Sequence, residues 1–290
     1  MWLDDDNFIF NDYDFTHEIY ISRIINITTL NDRRIDYPIY DSKDNVAFGL
    51  SYKILSEVRP DYGYRCHKYT KSDYANGNIF RVDLNSGEKK DLFFLNEMQS
   101  YTDKDVDREW FNHIMISPNG KKIMFLHRWE IKKVKFDALY VADSDGSNLK
   151  CISNNGMVSH CFWIDDKTVL GYLRGSNKKD QYYYIDIQNN NHLLVSNQLS
   201  DMGDGHPSFC NKKILFDTYP NKSRMKELFV YDIVNDELDK VGEFFESLKY
   251  TGETRCDLHP RFSSDGKKIY LDSVHEGSRS LFEIYLDEKK

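Results

Sequence analysis

Short apolar runs separated by a recurring polar turn dominate the pattern of this 290-residue chain. The clearest copies of this turn marker read Ile-Ser-Pro-Asn-Gly-Lys-Lys-Ile-Met-Phe at residues 116–125 and Phe-Ser-Ser-Asp-Gly-Lys-Lys-Ile-Tyr-Leu at residues 262–271. The Asp-Gly pair supplies the left-handed backbone that a tight hairpin needs. We therefore predict that the runs on either side are β-strands.

Weaker copies of the marker occur at residues 2–10, 40–48, 163–170 and 209–216. A third apolar run that ends in aspartate follows the copies, at residues 79–83, 139–143, 183–186, 228–232 and 282–287. A fourth short run comes next, as at residues 87–94. Four short strands per unit at a period of roughly 40 to 50 residues are typical of propeller blades.

The repeat predicts an all-β fold, a β-propeller of six to seven four-stranded blades in a single domain over residues 1–290. Seven blades are favoured, with the first blade incomplete. No segment shows helical periodicity over the length of a helix. Residues 236–250 hold either one turn of helix or an outer strand.

The composition limits the classes of ligand that the protein is expected to bind. Aromatic residues make up 14% of the chain, which suits strands. The net charge of −8 argues against nucleic acid as the main partner, because phosphate contacts need a basic face. No apolar run is long enough to span a membrane, so no membrane partner is expected. An anionic sugar is still compatible with this charge, since local arginines can form a positive pocket.

The cysteines indicate the redox state. Their number is odd and their spacing unpaired, which disfavours a disulfide framework and favours reduced thiols or one metal ligand. They are Cys66, Cys151, Cys161, Cys210 and Cys256. Met1 is followed at once by Trp2-Leu3-Asp4, which is unlike a signal peptide. The expectation is a cytoplasmic protein as the sequence stands, or a secreted or periplasmic one if a segment precedes Met1.

Polar residues gather just before the turn markers, where the first strand of each blade begins. They are Asn112-His113, His160, Asp204-Gly205-His206-Pro207 and Arg255-Cys256-Asp257-Leu258-His259-Pro260-Arg261. A strand entry holds such groups where they face water or a ligand, because burying them unpaired is costly. We predict that the four histidines cluster at one mouth of the channel. A satisfied structural role is the alternative for each histidine taken singly.

A thiolate and two imidazoles at His206, Cys256 and His259 suggest a metal site. This donor set suits Zn²⁺, and the Cys-x-x-His spacing allows two ligands on one loop. Asp257 or water would complete the shell. Buried groups that are simply hydrogen-bonded are the alternative.

A second polar set lies later in the strands. It comprises His127-Arg128, Asp217-Thr218-Tyr219-Pro220 with Arg224, and the segment from Asp272 to Arg279. Arginine and tyrosine on a channel face can bind a carboxylate and exchange protons. Turn and blade-edge contacts are the alternative, which we favour for Asp272 and Arg279.

The stretch from Arg59 to His67 is rich in aromatic residues and arginine, and reads as a long loop. Long loops are often functional, and this composition suits sugar stacking with carboxylate binding. A packed structural loop is equally compatible.

Together these motifs resemble those of the propeller polysaccharide lyases, a group that includes oligogalacturonate lyases and ulvan lyases. The resemblance covers most of the chain and is best from Trp110 to Leu286. Its most specific part is Arg-Cys-Asp-Leu-His-Pro-Arg at residues 255–261. Asp-Gly-His-Pro (204–207), Asp-Thr-Tyr-Pro (217–220) and His-Glu-Gly-Ser-Arg (275–279) add to it.

The resemblance implies cleavage of a uronate-containing glycan by β-elimination, with a bound divalent metal that is Zn²⁺ or, alternatively, Mn²⁺. The expected partner is an acidic oligo- or polysaccharide. The matching metal positions are His206, Cys256 and His259. The implied catalytic residues are His127, His160, Tyr219 and Arg224. The implied substrate-binding residues are His113, Arg128, Arg255 and Arg261.

In this hypothesis Arg224, with Arg128, neutralises the sugar carboxylate, and His160 or Tyr219 removes the proton. His127 or the tyrosine then protonates the departing oxygen. A non-catalytic glycan-binding or scaffold propeller is the competing hypothesis, because a fold does not fix a function. A propeller domain of a peptidase or transport accessory protein is a third. The chain has no Gly-x-Ser-x-Gly element, so it does not encode a serine hydrolase of the usual α/β kind.

Overall fold

A computed structural model describes residues 1–62, 76–98 and 106–286. These residues form six antiparallel sheets, and the fold is the all-β β-propeller that the repeat predicts, with one sheet for each blade. The chain divides into two compact units, Met1–Gly156 and Met157–Lys290, which hold three sheets each. A single domain over residues 1–290 stays a prediction.

The first unit contains sheets of order β1-β2-β3, β4-β5-β6-β7 and β11-β10-β9-β8. Their strands are β1 (Asn7–Asp14), β2 (Ile19–Asn26), β3 (Asp32–Ile35), β4 (Asp41–Lys43), β5 (Val46–Leu50), β6 (Asn78–Asp83), β7 (Lys89–Phe94), β8 (Arg108–Ile116), β9 (Lys122–Ile131), β10 (Val134–Asp143) and β11 (Lys150–Ser153). Two short helices, α1 (Tyr52–Val58) and α2 (Leu95–Met98), lie between strands of this unit.

The second unit contains sheets of order β12-β13-β14-β15, β16-β17-β18-β19 and β20-β21-β22. Their strands are β12 (Val158–Trp163), β13 (Thr168–Arg174), β14 (Asp180–Asp186), β15 (Asn191–Leu194), β16 (Ser208–Cys210), β17 (Lys213–Asp217), β18 (Met225–Asp232), β19 (Glu237–Phe245), β20 (Arg261–Phe262), β21 (Lys268–Ser273) and β22 (Ser280–Tyr285). Short 3-10 helices occupy Asn197–Leu199 and Gly252–Thr254. Residues 236–250 thus hold the outer strand, one of the two predicted alternatives.

The hydrogen bonds and backbone angles of these segments confirm that the marker is a tight turn. Asp265 accepts hydrogen bonds from the Ser263 hydroxyl at 2.6 Å and from the Lys267 amide at 3.0 Å. Gly266 follows with a φ of +72°, a conformation that favours glycine. The aspartates that end third strands act in the same way, since Asp186 accepts from the amides two and three residues further on. Side-chain acceptors of this kind stabilise turns over continued strand.

The prediction that favoured seven blades is wrong, because the described residues form six sheets. The marker at residues 2–10 belongs to the first of these sheets. Trp2 makes one antiparallel bridge to Phe8 of β1, as Trp163 pairs with Val169 in the fourth sheet. Residues 2–35 therefore form one three-stranded sheet with an isolated bridge, and no separate blade.

The inner strands β13, β14, β17 and β18 of the second unit are buried on both faces, which explains their nearly continuous apolar runs. In β17, Ile214 and Phe216 pack against Leu170 and Tyr182 of the fourth sheet. Leu215, between them, packs on the other side with residues of the sixth sheet. Each fully buried side chain of this size contributes about 1.5–3 kcal/mol.

Helix α1 was not expected from the sequence. Tyr52, Leu55 and Val58 are buried at a spacing of three residues, as one helical face requires. The helix is only seven residues long, too short for the pattern to stand out. Arg59 and Tyr62 follow it, with the Arg59 guanidinium 4.5 Å from the centroid of the Tyr62 ring. The rest of the aromatic stretch, residues 63–67, lies outside the described residues.

Candidate functional site

Three imidazole rings from three consecutive sheets form a row in the second unit. The ring centroids of His160 and His206 lie 4.1 Å apart, and those of His206 and His259 also lie 4.1 Å apart. His160 belongs to β12, whereas His206 and His259 lie in the loops before β16 and β20. These strands are the first of their sheets and contact their neighbours, so the clustering predicted for these three histidines is present.

A β-bulge directs His160 into the row. The pairing of β12 with β13 shifts register between Val158 and Cys161, so Ser159 and His160 fall in the irregular segment. Bulges of this kind redirect side chains and are common beside active sites. The same irregularity occurs in β8, where the register shifts between Asn112 and Met115 around His113.

Asp204 fixes the orientation of His160. Its Oδ1 lies 3.1 Å from the His160 Nδ1, and its Oδ2 accepts the Ser159 hydroxyl at 2.5 Å. Burial alone would raise the pKa of the Asp204 carboxyl, but the hydrogen bond and charge of His160, with the bond from Ser159, bring it below its usual value. A carboxylate can only accept, so Nδ1 of His160 is the protonated nitrogen.

Asp217, at the end of β17, joins two loops of the row. It accepts from the His206 amide at 2.6 Å, lies 2.9 Å from the His206 Nδ1, and accepts from the Leu258 amide at 3.2 Å. Although burial raises the pKa of this carboxyl, the bonds and charge of His206 lower it overall. Asp217 therefore remains an anion and orients both the ring of His206 and the loop that carries His259.

His206, Asp257 and His259 bring one ligand atom each to within 4.8 Å of one another. In the described ranges 1–62, 76–98 and 106–286 this is the one group of three histidine, cysteine or acidic residues so close together. Asp217 engages Nδ1 of His206, so Nε2 is the nitrogen that a cation would meet. Asp257 Oδ1 is buried and has no hydrogen-bond partner among the described residues. Two imidazoles and one carboxylate, whose Oδ1 has no hydrogen bond, fit a divalent cation such as Zn²⁺ or Mn²⁺.

Cys256 does not join this group, and we correct the predicted ligand set accordingly. Its side chain is buried, and burial raises the pKa of its thiol. The donor atoms that converge with those of His206 and His259 include an oxygen of Asp257 and not the sulfur of Cys256. Asp257, the residue next to the predicted ligand, is thus placed to be the third donor, as the predicted completion of the shell by Asp257 allowed.

The surroundings shift the pKa values of His206 and His259 in opposite directions. Burial lowers the pKa of His206, but the hydrogen bond and charge of Asp217 raise it above the usual value. Loss of water around the ring and the neighbouring His206 lower the pKa of His259 to about 4. A neutral imidazole is the form that binds a metal.

The backbone of His259 is strained. Its φ is +42°, although it is not glycine and precedes Pro260. Strain of this kind persists where surrounding contacts impose it, and it concentrates at functional sites. The Leu258 amide bond to Asp217 is one such contact.

Tyr219 and two arginines border the row. The ring centroid of Tyr219 lies 5.9 Å from that of His206, and the Arg255 guanidinium lies 5.3 Å from the Tyr219 centroid. Arg255 also contacts Asp257 Oδ2 at 2.7 Å. Arg261 is exposed and donates to the carbonyl of His259 at 3.2 Å. The predicted residues Tyr219, Arg255 and Arg261 are therefore brought together with the histidines.

Arg224 is engaged by Glu246, which disfavours its predicted role as the carboxylate-binding group. Its Nη2 donates to Glu246 Oε1 at 2.8 Å, and its Nε donates to the Glu246 carbonyl at 3.1 Å. Nη2 also lies 3.4 Å from the Tyr250 carbonyl. With its side chain 25% exposed and contacts to Glu246 and Tyr250, this guanidinium is less available to a sugar carboxylate than Arg255, whose side chain is 36% exposed.

His127 and Arg128 lie in the interior of the first unit, which disfavours their predicted catalytic and substrate-binding roles. His127 is fully buried, with Nε2 3.0 Å from Glu109 Oε2 and its ring stacked on Trp129. Arg128 lies 3.1 Å from the buried Asp137. His113, predicted to bind substrate, is half-buried against the Tyr62 ring, and its substrate role stays a prediction.

Sequence reasoning noted Asp204 and Asp217 but gave them no role. Asp204 precedes His206 in the pattern Asp-x-His, and Asp217 ends a strand in the pattern Asp-Thr-Tyr. In both patterns the carboxylate comes close to a histidine. Ser159 and the buried pair of Lys226 and Glu246 were missed. Lys226 had one available signal, since it occupies an inward position of the alternating run Met225-Lys226-Glu227-Leu228.

Comparisons with known proteins identify the fold. No protein-family model matches the chain, and no curated protein matches it. An oligogalacturonate lyase in complex with manganese is similar over 96% of this chain and 76% of its own, with a TM-score of 0.66 and 17% identity.

TolB from Acinetobacter baumannii is similar over 97% of this chain and 61% of its own, with a TM-score of 0.57 and 15% identity. An acylaminoacyl peptidase is similar over 98% of this chain and 44% of its own, at a TM-score of 0.57 and 10% identity. At such identities these likenesses show the β-propeller fold, which proteins of different function share. Among the described residues, no helix is both long and apolar enough to cross a membrane.

Proposed function

We propose that the protein binds an acidic oligo- or polysaccharide at the histidine row and cleaves it beside a uronate by β-elimination. The observation that carries this proposal is the row itself, in which three imidazoles, each next to a carboxylate, adjoin an exposed tyrosine and two arginines. The motif resemblance to propeller lyases and the fold shared with a manganese-bound oligogalacturonate lyase support it.

In this proposal, positively charged side chains bind the sugar carboxylate. Arg255 and Arg261 flank His259, and both are accessible enough to meet a sugar carboxylate. They replace Arg224 and Arg128 in the role that the sequence suggested. A divalent cation held by His206, Asp257 and His259 would supply further positive charge for the same carboxylate.

The elimination itself needs two proton transfers. A base removes the proton at C5, the electron pair forms the C4=C5 double bond, and O4 leaves with its bonding pair and takes up a proton. Asp204 holds Nδ1 of His160 protonated, so the basic lone pair of the neutral ring is on Nε2, and we assign His160 as the base. Tyr219, exposed beside His206, is assigned to protonate O4.

A non-catalytic glycan-binding propeller is the second candidate. A specific observation favours it, because two of the four predicted catalytic side chains are committed to internal contacts. His127 pairs with Glu109, and Arg224 pairs with Glu246. Such a protein would keep the row as a binding site and lack turnover.

The two candidates separate in one assay. The full chain is mixed with ulvan, pectic and glycosaminoglycan fragments, and the ultraviolet absorbance of the unsaturated product is followed over time. The lyase proposal expects a rise for at least one substrate and its loss in Tyr219→Phe, which removes only a hydroxyl. His192→Ala, on the outer strand β15, is the control and should cut like the wild type. Binding without any absorbance change would favour the second candidate.

A further inference from the structure

A lysine ammonium lies inside the second unit, beside the loop that carries the candidate cation ligands. Lys226 of β18 is 1% exposed. It shares its face of β18 with Leu228 and Val230, which pack in the apolar cluster with Leu258. Lysine is almost never buried this far unless it is paired, because removing the charge from water is costly.

The Lys226 ammonium has two close partners. It donates to Glu246 Oε2 and to the carbonyl of Cys256. Glu246 is buried as well, and its other oxygen accepts from Arg224 at 2.8 Å. The Lys226 ammonium also lies 3.9 Å from Asp257 Oδ1. One buried cation thus holds the backbone immediately before Asp257 and faces the orphaned oxygen of that carboxylate.

The other side of the same loop is held by different groups. Asp217 accepts from the Leu258 amide, and Arg255 contacts Asp257 Oδ2 at 2.7 Å. Asp257 therefore has one oxygen engaged by Arg255, while its Oδ1 faces Lys226 and the row. Of these contacts, the one from Lys226 to the Cys256 carbonyl reaches the backbone on the N-terminal side of Asp257.

From these contacts we propose that Lys226 is a positioning residue for the cation site, which fixes Asp257 through the Cys256 carbonyl. The inference rests on the proposed cation site. If Lys226 served only to neutralise the buried Glu246, its ion pair with Glu246 would be sufficient. Positioning additionally needs the hydrogen bond to Cys256, so the two roles can be separated by removing both charges at once.

The experiment compares the full chain with Lys226→Met, with the double variant Lys226→Met/Glu246→Gln, and with Lys240→Met. Lys240 is the matched control, an exposed lysine of the same sheet that pairs with Glu227 and Glu243. Urea unfolding gives the stability of each protein. Calorimetric titration with Mn²⁺ and with Zn²⁺ gives the cation affinity.

Lys226→Met should unfold at lower urea, because it leaves Glu246 buried without its ammonium. The double variant should recover most of this loss, since replacing both members of a buried pair is often nearly neutral and glutamine keeps an oxygen that can accept from Arg224. Its cation affinity should nevertheless remain about tenfold or more below that of the wild type, as for other partners that orient metal ligands. Lys240→Met should match the wild type in both measurements.

Three results would overturn the inference while leaving the cation site intact. They are a double variant that binds Mn²⁺ and Zn²⁺ like the wild type, tighter binding after loss of the nearby ammonium, and a double variant as unstable as Lys226→Met. The last would mean that the charged pair serves the fold itself. A wild-type protein that binds neither cation would instead remove the proposed cation site, and the inference with it.

Discussion

His127 in the first unit and His160 in the second each bond to a carboxylate, at 3.0 Å from Glu109 and 3.1 Å from Asp204. Their surroundings differ. Trp129 stacks on His127, and both members of its pair are fully buried. His160 adjoins His206, which in turn adjoins the exposed Tyr219. The same residue types build an internal contact in one region and an accessible polar row in the other, so the surroundings decide the role.

The largest effect should come from breaking the internal pair. His127→Ala leaves Glu109 buried without its partner and opens a cavity, at an expected cost of about 3–5 kcal/mol in the free energy of unfolding. Urea unfolding measures this cost. Uronate cleavage per folded molecule should be unchanged. A variant as stable as the wild type, with lost cleavage, would return His127 to the catalytic set.

Loss of His160 in the second unit should reduce activity far more than stability. His160→Ala removes the proposed base, so elimination should fall on the order of a hundredfold or more. The melting temperature should change less than in His127→Ala. Steady-state absorbance assays and melting curves on the same preparations test both statements. Cleavage at the wild-type rate would show that His160 is not the base.

Removal of the proposed cation should give an intermediate effect, because a ligand bound only by the folded state stabilises it. At a cation concentration tenfold above its Kd the stabilisation is about 1.4 kcal/mol. A chelator should therefore lower the melting temperature of the wild type. His259→Ala, which lacks one donor, should show no such decrease. Elemental analysis of protein purified without chelator provides the independent check, and absence of any transition metal with an unchanged melting temperature would contradict the site.

The smallest expected effects distinguish the roles of Arg255 and Arg224. Arg255→Lys keeps the charge at the row but loses the planar donor pair that matches a carboxylate, so KM should rise about tenfold with unchanged stability. Arg224→Lys should instead leave KM unchanged and lower stability, because its partner is Glu246. Kinetics and unfolding curves of both variants decide this. The reverse assignment of effects would restore Arg224 as the carboxylate-binding group.

Much of the fold could be predicted because its signals are local. The Asp-Gly turn at residues 265–266 and the aspartates that end third strands bond within a few residues of themselves. Helix α1 escaped prediction because its seven residues show only two helical repeats of apolar spacing. Seven blades were favoured because the first marked unit looks incomplete, whereas in the structure that unit forms a three-stranded sheet with one further bridge at Trp2.

The site was predictable as far as shared position along the blades allowed, which placed His160, His206 and His259 together. Whether a side chain is accessible to a ligand could not be predicted from position in the same way. Arg224 and Arg255 look alike in sequence, and only the distant Glu246 makes one of them internal. The choice between Cys256 and Asp257 depends on which of two neighbours turns toward the row, and a one-residue difference in orientation leaves no trace in composition.

Asp217 has a consequence for how the protein tolerates change. One carboxylate serves a loop at residues 204–207 and another at residues 255–259, which are about fifty positions apart in the chain. A substitution there would disturb both loops together, although Asp217 itself is nearly inaccessible to a sugar. Mutational sensitivity is therefore expected below the proposed binding surface. If the proposed sugar binding holds, libraries aimed at new specificity should vary Tyr219, Arg255 and Arg261 while keeping residue 217 constant.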